Sequence, residues 1–280
     1  MKIINQLILL TALSLVFTAC NEYKGYKKTE SGLYYKFYSQ NLSGYIPKND
    51  DVVSIKLEIR TKNDSIIQPM KQLTTMMQPS KFQGDIFEAL SMMHEGDSAS
   101  FIINAKKYFN AYNYGIVPPF VDEKTMLWFT IKITKIETVV EYKLKSQQLM
   151  IDKEKELINQ YVTENNITVT PTVSGLYYIE TKKGKGASPS EGQTCYVHYK
   201  GMLLDGTVFD SSIERGEPFP FPLGQGQVIK GWDEGIAMMK KGGKALFIIP
   251  SSIAYGDRGA GDLIPPYTPL LFEVELVNFQ

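Results

Sequence analysis

The chain carries the same pattern twice, in the same order, and this repetition constrains its fold more than any other feature. Ser31-Gly32-Leu33-Tyr34-Tyr35 returns as Ser174-Gly175-Leu176-Tyr177-Tyr178, at an offset of 143 residues. Met92-Met93, followed by Gly96 and then Phe101-Ile102-Ile103, returns as Met238-Met239, Gly242 and Phe247-Ile248-Ile249, at an offset of 146. Leu127-Trp128-Phe129-Thr130-Ile131 parallels Leu270-Leu271-Phe272-Glu273-Val274. Three matches in one order, with nearly equal offsets, specify two copies of one fold. A length of 280 residues suits two domains.

Most signals within each copy are those of strands. Residues 53–59 alternate apolar and polar side chains, residues 194–199 are rich in β-formers, and Asp205-Gly206 is a hairpin signal. Further strands are expected at 101–104, 128–136, 246–250 and 270–277. One short helix precedes each Met-Met pair, at 85–93 and 232–239. The expected class is α+β, two antiparallel units each with a short helix. The two copies are expected at 31–138 and 168–280. Between them, residues 139–165 contain neither Gly nor Pro. Val140, Leu144, Ile151, Ile158 and Val162 fall near a 3.6-residue period, and charges alternate over 152–156. An amphipathic helix is therefore expected to join the copies over 139–167. It is either a spacer packed against one domain or a dimerising arm. The stripe is not a strict heptad, which favours the spacer.

The beginning of the chain reads as an address. Met1-Lys2 precedes an apolar run from Leu7 to Phe17 that ends Phe17-Thr18-Ala19-Cys20. The run is shorter than the about 20 residues that cross a bilayer, and its layout is that of a secretory leader over residues 1–19. Cys20 is either incidental or, because it directly follows Thr-Ala, the acylated first residue of a mature lipoprotein, for which the segment resembles a bacterial lipobox. That resemblance implies a membrane partner through lipid on Cys20. It also implies a place in the bacterial cell envelope, at the outer membrane and facing the periplasm, with residues 20–30 as a polar tether. Elsewhere the composition mostly excludes. Lys+Arg 30 against Asp+Glu 30 gives no field to attract nucleic acid. Two Cys and two His leave little for a disulfide framework, a metal site or a Ser-His-Asp hydrolase, so no metal and no cofactor is expected.

The second copy carries a denser set of motifs: Val197-His198-Tyr199-Lys200-Gly201, Asp205-Gly206-Thr207-Val208-Phe209-Asp210, Arg215 with Pro218-Phe219, Gln227-Val228-Ile229-Lys230-Gly231-Trp232, Ala254-Tyr255-Gly256 and Leu263-Ile264-Pro265-Pro266. Together they resemble the FK506-binding protein (FKBP) family of peptidyl-prolyl isomerases over residues 169–280. The resemblance implies a twisted antiparallel sheet around a short helix, with an apolar pocket that binds proline. It implies Trp232 as the pocket floor and Tyr199, Phe219 and Phe272 as walls. The Ile229 N–H and the Tyr255 hydroxyl would hold substrate carbonyls, and Asp210 would join Tyr199 and Arg215 as the polar edge. Phe209, Val228, Leu263 and Ile264 complete the implied pocket. The implied partners are proline-containing unfolded or folding proteins and FK506-like macrolides. Gln227 stands where the family often has Glu.

The chemistry suits such residues. Rotation about an amide costs about 18–20 kcal/mol because the planar form is resonance-stabilised. No nucleophile or metal is needed to speed it. A dry pocket disfavours the dipolar planar amide, and placed hydrogen bonds favour the twisted one. Each residue also has a plainer reading: Trp232, Phe209 and Phe272 as core, and Asp210 with Arg215 as a surface ion pair worth under about 1 kcal/mol. Their company in order favours the pocket. His198 alternates with Tyr199 and should face away from it, and Cys195 reads as a buried, inert thiol. Residues 256–262 superficially suggest a phosphate loop but lack the Gly-Lys-Ser/Thr ending, and read instead as a pocket rim.

In the first copy the aligned positions are Ile86 for Trp232, Gln83 for Ile229, Phe109 for Tyr255, Leu57 for Tyr199, Ile67 for Phe209 and Gln68 for Asp210. Nothing corresponds to Arg215-Gly216-Glu217-Pro218-Phe219. The first copy is therefore expected to be a degenerate FKBP-like domain without isomerase activity. Three accounts follow. The chain is a lipid-anchored isomerase assisting folding outside the cytoplasm, or a non-catalytic holdase or assembly lipoprotein that binds proline-containing segments, or an envelope scaffold dimerising through its helix.

Overall fold

The computed structural model of the chain describes residues 22–112 and 115–280. The leader and Cys20 lie outside the described residues. The chain divides into two compact units, Met1–Lys143 and Leu144–Gln280.

The first unit contains strands β1 (Lys27–Lys28), β2 (Tyr34–Ser39), β3 (Val52–Thr61) and β4 (Ile66–Met76), helix α1 (Ile86–Ser91), strand β5 (Ser98–Asn104), helix α2 (Ala105–Tyr112) and strand β6 (Met126–Glu137). Its strands form one antiparallel sheet in the order β1-β2-β5-β6-β3-β4. Helix α3 (Val139–Glu164) follows. The second unit adds β7 (Tyr177–Lys182), β8 (Thr194–Leu203), β9 (Val208–Ser211), α4 (Ser212–Arg215), β10 (Phe219–Pro222), α5 (Lys230–Met238), β11 (Lys244–Ile249), a single 3-10 turn (Ser251–Ile253) and β12 (Leu270–Phe279). Its order, β10-β8-β12-β11-β7 with β9 also on β8, read from β7 repeats that of the first sheet from β2 on, with β9 and β10 together in the place of β4; β1 has no counterpart in it. Both units are α+β, with one face of the sheet closed over a short helix.

The repeated Ser-Gly-Leu is a folding device used twice. In each unit a threonine two residues before the serine accepts the leucine N–H through its hydroxyl, Thr29 for Leu33 at 3.0 Å and Thr172 for Leu176 at 3.2 Å. The intervening glycine takes a left-handed conformation, φ 93° at Gly32 and 94° at Gly175, which a side chain would resist. The serine hydroxyl then donates to a carboxylate on the short helix, Ser31 to Glu88 and Ser174 to Glu234, the latter at 2.5 Å. The leucine that follows is buried in its core, with Met93, Phe101 and Phe129 in the first unit and Met239, Phe247 and Phe272 in the second.

Three details differ from the sequence reading. The residues expected to form a polar tether are folded from Glu22 on: β1 pairs with β2, the Tyr26 hydroxyl donates to Ser100 at 2.9 Å, and the Tyr23 ring lies edge-on to Tyr34 and Trp128 at 4.7 and 5.7 Å. Tyrosines within a polar stretch had an apolar surface and a free strand edge to cover. Helix α3 stops at Glu164 rather than 167, because Asn166 turns left-handed (φ 53°). The Ile167 N–H then closes on the Val162 carbonyl at 2.9 Å and the Asn166 N–H on Thr163 at 3.2 Å, the Schellman arrangement. Finally, helix α2 has no counterpart among the expected elements; its place is that of the 3-10 turn in the second unit.

From Leu144 on, α3 belongs to the second unit. Ile158 packs there against Met202, Ile248 and Leu271, which face outward from the sheet.

Candidate active site

The site is built where the second unit breaks the regularity that the first keeps. In the first unit β4 stays one continuous strand beside β3 from Ile66 to Met76, with two register shifts opposite Leu57 to Arg60. In the second, the corresponding segment leaves β8 after β9, makes the one-turn helix α4, and returns as β10. Local chemistry sets the detour. Ser211 caps α4 by accepting the Glu214 N–H at 3.4 Å, and Gly216, left-handed at φ 78°, ends it. Ser212 is buried at its start, and its hydroxyl accepts the Tyr199 N–H at 2.8 Å, tying the detour to β8. The detour carries Phe209, Asp210, Arg215 and Phe219 around the mouth of a cavity.

That cavity measures about 460 Å³ and is lined by Tyr199, Phe209, Asp210, Arg215, Phe219, Gln227, Val228, Ile229, Trp232, Tyr255 and Phe272. Trp232, in the first turn of α5, is nearly fully buried and stands almost perpendicular to two neighbours, Tyr199 at 4.8 Å and 81° and Phe272 at 5.3 Å and 80°. Phe209 meets Phe272 edge-on at 5.6 Å, and Phe219 meets Tyr199 at 6.2 Å. Edge-to-face packing of this kind is favoured by the ring quadrupoles and holds the walls at set angles. The Trp232 indole N–H is buried and has no acceptor among the described residues.

One edge of the cavity is polar. The Tyr199 hydroxyl donates to Asp210, Arg215 donates to the other carboxylate oxygen of Asp210, and a second guanidinium nitrogen of Arg215 donates to the Tyr199 oxygen at 2.7 Å. Burial acts to raise the Asp210 carboxyl, but the hydrogen bonds from Tyr199 and Arg215 outweigh it and hold the group below the usual carboxylate range. Burial, reinforced by the bond to Asp210, pushes the Tyr199 phenol up, so it remains a donor at neutral pH. Burial and the charge of Asp210 likewise raise Tyr255. Ile229 is the N-cap residue of α5 and has an extended backbone (ψ 147°); its carbonyl accepts the Trp232 N–H at 2.9 Å.

Leu263 and Ile264 are not brought to the cavity. A bridge between Ala260 and Ile264, with N–H···O bonds of 2.8 and 3.1 Å, folds the loop tip back on itself. Ile264 is thereby turned into the core and Leu263 is left 55% exposed. Gln227, noted in the sequence only as a departure, does line the cavity. His198 faces the opposite side of β8, its Nδ1 3.2 Å from the Ser212 hydroxyl. Cys195 is fully buried, and burial, with the nearby charge of Asp233, pushes its thiol up to about 11.

The first unit has no such space. Leu57, aligned with Tyr199, and Phe129, aligned with Phe272, are plain core. Ile86 at the start of α1 packs against that core in the position of Trp232. Where the second unit has its 3-10 turn, α2 lays Tyr108 on Phe129 at 4.8 Å and Tyr112 on Phe87 at 5.8 Å. The Tyr112 hydroxyl donates to Asp85, the N-cap of α1, at 2.6 Å. Aromatic side chains of the unit itself fill the volume that the second unit leaves open.

An apolar cavity with perpendicular aromatic walls, one neutral phenol edge and a short-helix N-terminus can hold a compact apolar ring and its flanking amides out of water. It offers donors to amide carbonyls and no nucleophile.

Residues 185–277 match the family model described as FKBP-type peptidyl-prolyl cis-trans isomerase. The chain is 56% identical over 99 residues to FK506-binding protein 1 of Dictyostelium discoideum, which covers 35% of this chain and 92% of that protein. It is 51% identical over 110 residues to the probable FKBP-type peptidyl-prolyl cis-trans isomerase FkpA of Neisseria meningitidis, covering 39% of this chain and 40% of that one. It is 48% identical over 121 residues to the FKBP-type 22 kDa peptidyl-prolyl cis-trans isomerase of Escherichia coli, covering 42% of this chain and 58% of that one. The two bacterial relatives are thus matched over less than two thirds of their own length.

Proposed function

We propose, for a chain that belongs to the FKBP-type peptidyl-prolyl cis-trans isomerase family, that the cavity around Trp232 turns over X–Pro bonds in proteins folding outside the cytoplasm, from a lipid anchor on Cys20. The proline ring sits on the Trp232 indole between Tyr199, Phe219 and Phe272. The Ile229 N–H and the Tyr255 hydroxyl hold the carbonyls on either side. Excluding water removes the solvation that favours the planar, dipolar amide, and hydrogen bonds fitted to the twisted amide lower the barrier further. The same walls would take an FK506-like macrolide, as the name of the Dictyostelium relative suggests.

The observation that carries this reading is the closed set of bonds among Tyr199, Asp210 and Arg215 beside the Trp232 floor. It supports the reading by giving an otherwise apolar cavity a fixed polar edge. A protease-free proline-isomerisation assay on the full chain tests it. Trp232→Leu is expected to lose most of kcat/KM, and an unchanged rate would remove the cavity from catalysis. The address rests on the leader and on Cys20, supported by the bacterial FKBP-type relatives. Labelled palmitate should enter the chain in a bacterial host and be absent from Cys20→Ser.

A second role, holding clients without turnover, is favoured for the first unit by one observation. Its edge strand β4 leaves Ile66, Ile67, Met70 and Met76 exposed, while its would-be pocket is filled.

A further inference from the structure

We infer that Glu154, on α3 and so upstream of the matched family region, is a positioning residue for Tyr255; the inference rests on the cavity reading above. Helix α3 is exposed along most of its length, and its only buried side chains are Glu154 and Ile158. Ile158 has an apolar partner surface. Glu154, 5% exposed, does not, and a carboxylate is costly to bury unless its oxygens are satisfied. Both oxygens go to one residue 97 positions away. Oε1 accepts the Ser251 N–H at 2.5 Å and Oε2 accepts the Ser251 hydroxyl at 2.7 Å.

Ser251 opens the 3-10 turn that leads to Tyr255. Its N–H is one of the donors that a helix start leaves unpaired and that a local cap ordinarily takes. The N-cap here is Pro250, which offers no side-chain acceptor, and Glu154 supplies one from another element. The Ser251 carbonyl in turn accepts the N–H of Ala254 and the N–H of Gly256, each at 2.9 Å. Those residues flank Tyr255, so the backbone that presents its phenol hangs on Ser251, and Ser251 on Glu154.

Little else holds the turn from that side. A groove of about 650 Å³ runs between α3 and the turn, with Glu154 and Ser251 among its lining residues. The first unit confirms by contrast that an outside carboxylate is not intrinsic to the fold. There Asn104 caps α2 locally by accepting the Lys107 N–H at 2.9 Å, and Ala105 bonds to Thr125 at 2.8 Å. In the first unit the equivalent of the cavity is filled by Tyr108 and Tyr112, so that turn has no open site to serve.

The test is a double-mutant cycle in the full chain, read as kcat/KM for proline isomerisation, with thermal unfolding followed in parallel. Glu154→Ala is expected to lower kcat/KM about tenfold, within the range of coupled contacts. Glu154→Gln, whose amide can accept the Ser251 N–H and donate to its hydroxyl, is expected to restore most of the loss. In a Tyr255→Phe background, Glu154→Ala is expected to cost nothing further. If it costs the same tenfold there, Glu154 acts on the fold at large and the inference is overturned. A Tyr255→Phe chain as active as the parent overturns the inference alone, whereas an unchanged rate in Trp232→Leu overturns the cavity reading, which separates the two failures. Should Glu154→Ala not fold, Ser251→Ala in both backgrounds makes the same comparison, and additivity there overturns the inference equally.

Discussion

The backbone of Gly201 lies directly under the ring of Phe209: a Cβ at that position would stand 2.6 Å from Phe209 Cε2, and 2.8 Å from Phe272 Cε1. These are the stiff ends of two cavity walls, so neither can yield without tilting. Gly201→Ala is expected to destabilise the second unit by about 1–3 kcal/mol, the range for overpacking. It should also lower isomerase activity by more than a remote change of equal cost, because relief moves Phe209 and Phe272 into the cavity. Activity and urea midpoint measured on one preparation separate the two effects.

Asp210 and Arg215 are 43% and 47% exposed, so the pair adds little to stability. Its work is to hold the Tyr199 hydroxyl. Asp210→Asn is expected to leave the melting temperature nearly unchanged and to reduce kcat/KM several-fold. The carboxyl is held below its ordinary value by Tyr199 and Arg215 against the opposing effect of burial. The contribution of its charged form to the folded state is therefore complete above the unfolded value, near about 4, and is lost as pH falls through the lower folded value. A pH–activity profile should be flat on this account from neutrality down to about pH 5. A fall centred near pH 6 would contradict it.

The left-handed glycines make a paired prediction. Gly175→Ala forces a side chain to φ 94° and sets its Cβ 3.1 Å from Pro250, whereas Gly32→Ala forces φ 93° with nothing nearer than Lys28 Cε at 3.7 Å. Each should cost about 1–2 kcal/mol, Gly175→Ala the more. Trp232 fluorescence should report the loss in the first case and Trp128 fluorescence in the second, each read in a chain whose other tryptophan is replaced by Phe.

Cys195 offers a check on burial. With its thiol pushed up to about 11 and its side chain enclosed, a Cys20→Ser chain should resist iodoacetamide at pH 8 while folded. Labelling should track unfolding across a urea series; stoichiometric labelling of the native chain would place Cys195 at the surface.

How much of this was legible follows from what each feature depends on. Strand alternation, the helices before the Met-Met pairs and the repeated Ser-Gly-Leu are local signals, and both sheets formed from them. The aromatic set around Trp232 was legible through its motifs. That Leu263 and Ile264 fall outside the cavity's lining was not legible, because one β-bridge decides which of two adjacent apolar residues turns inward. The segment from Glu22 is folded rather than a free tether because Tyr23 packs on the Tyr34 and Trp128 rings, Tyr26 bonds to Ser100, and Lys27-Lys28 pairs with the edge of β2.

By itself, then, the sequence determined that two copies of one α+β unit follow each other, where the strands and short helices of each lie, and that only the second copy carries the aromatic and polar motif set around Trp232. Periodicity and turn chemistry act over a few residues, and they specify as much wherever the chain lies. Only the tertiary structure decided that β4 stays continuous while the same stretch of the second unit detours through α4. Only there does Tyr108 fill one site while its counterpart stays open, and only there does Glu154 reach Ser251. Each depends on side chains far apart in sequence meeting across faces that topology brings together, and the cost of burying a carboxylate or leaving a cavity is set by what stands opposite.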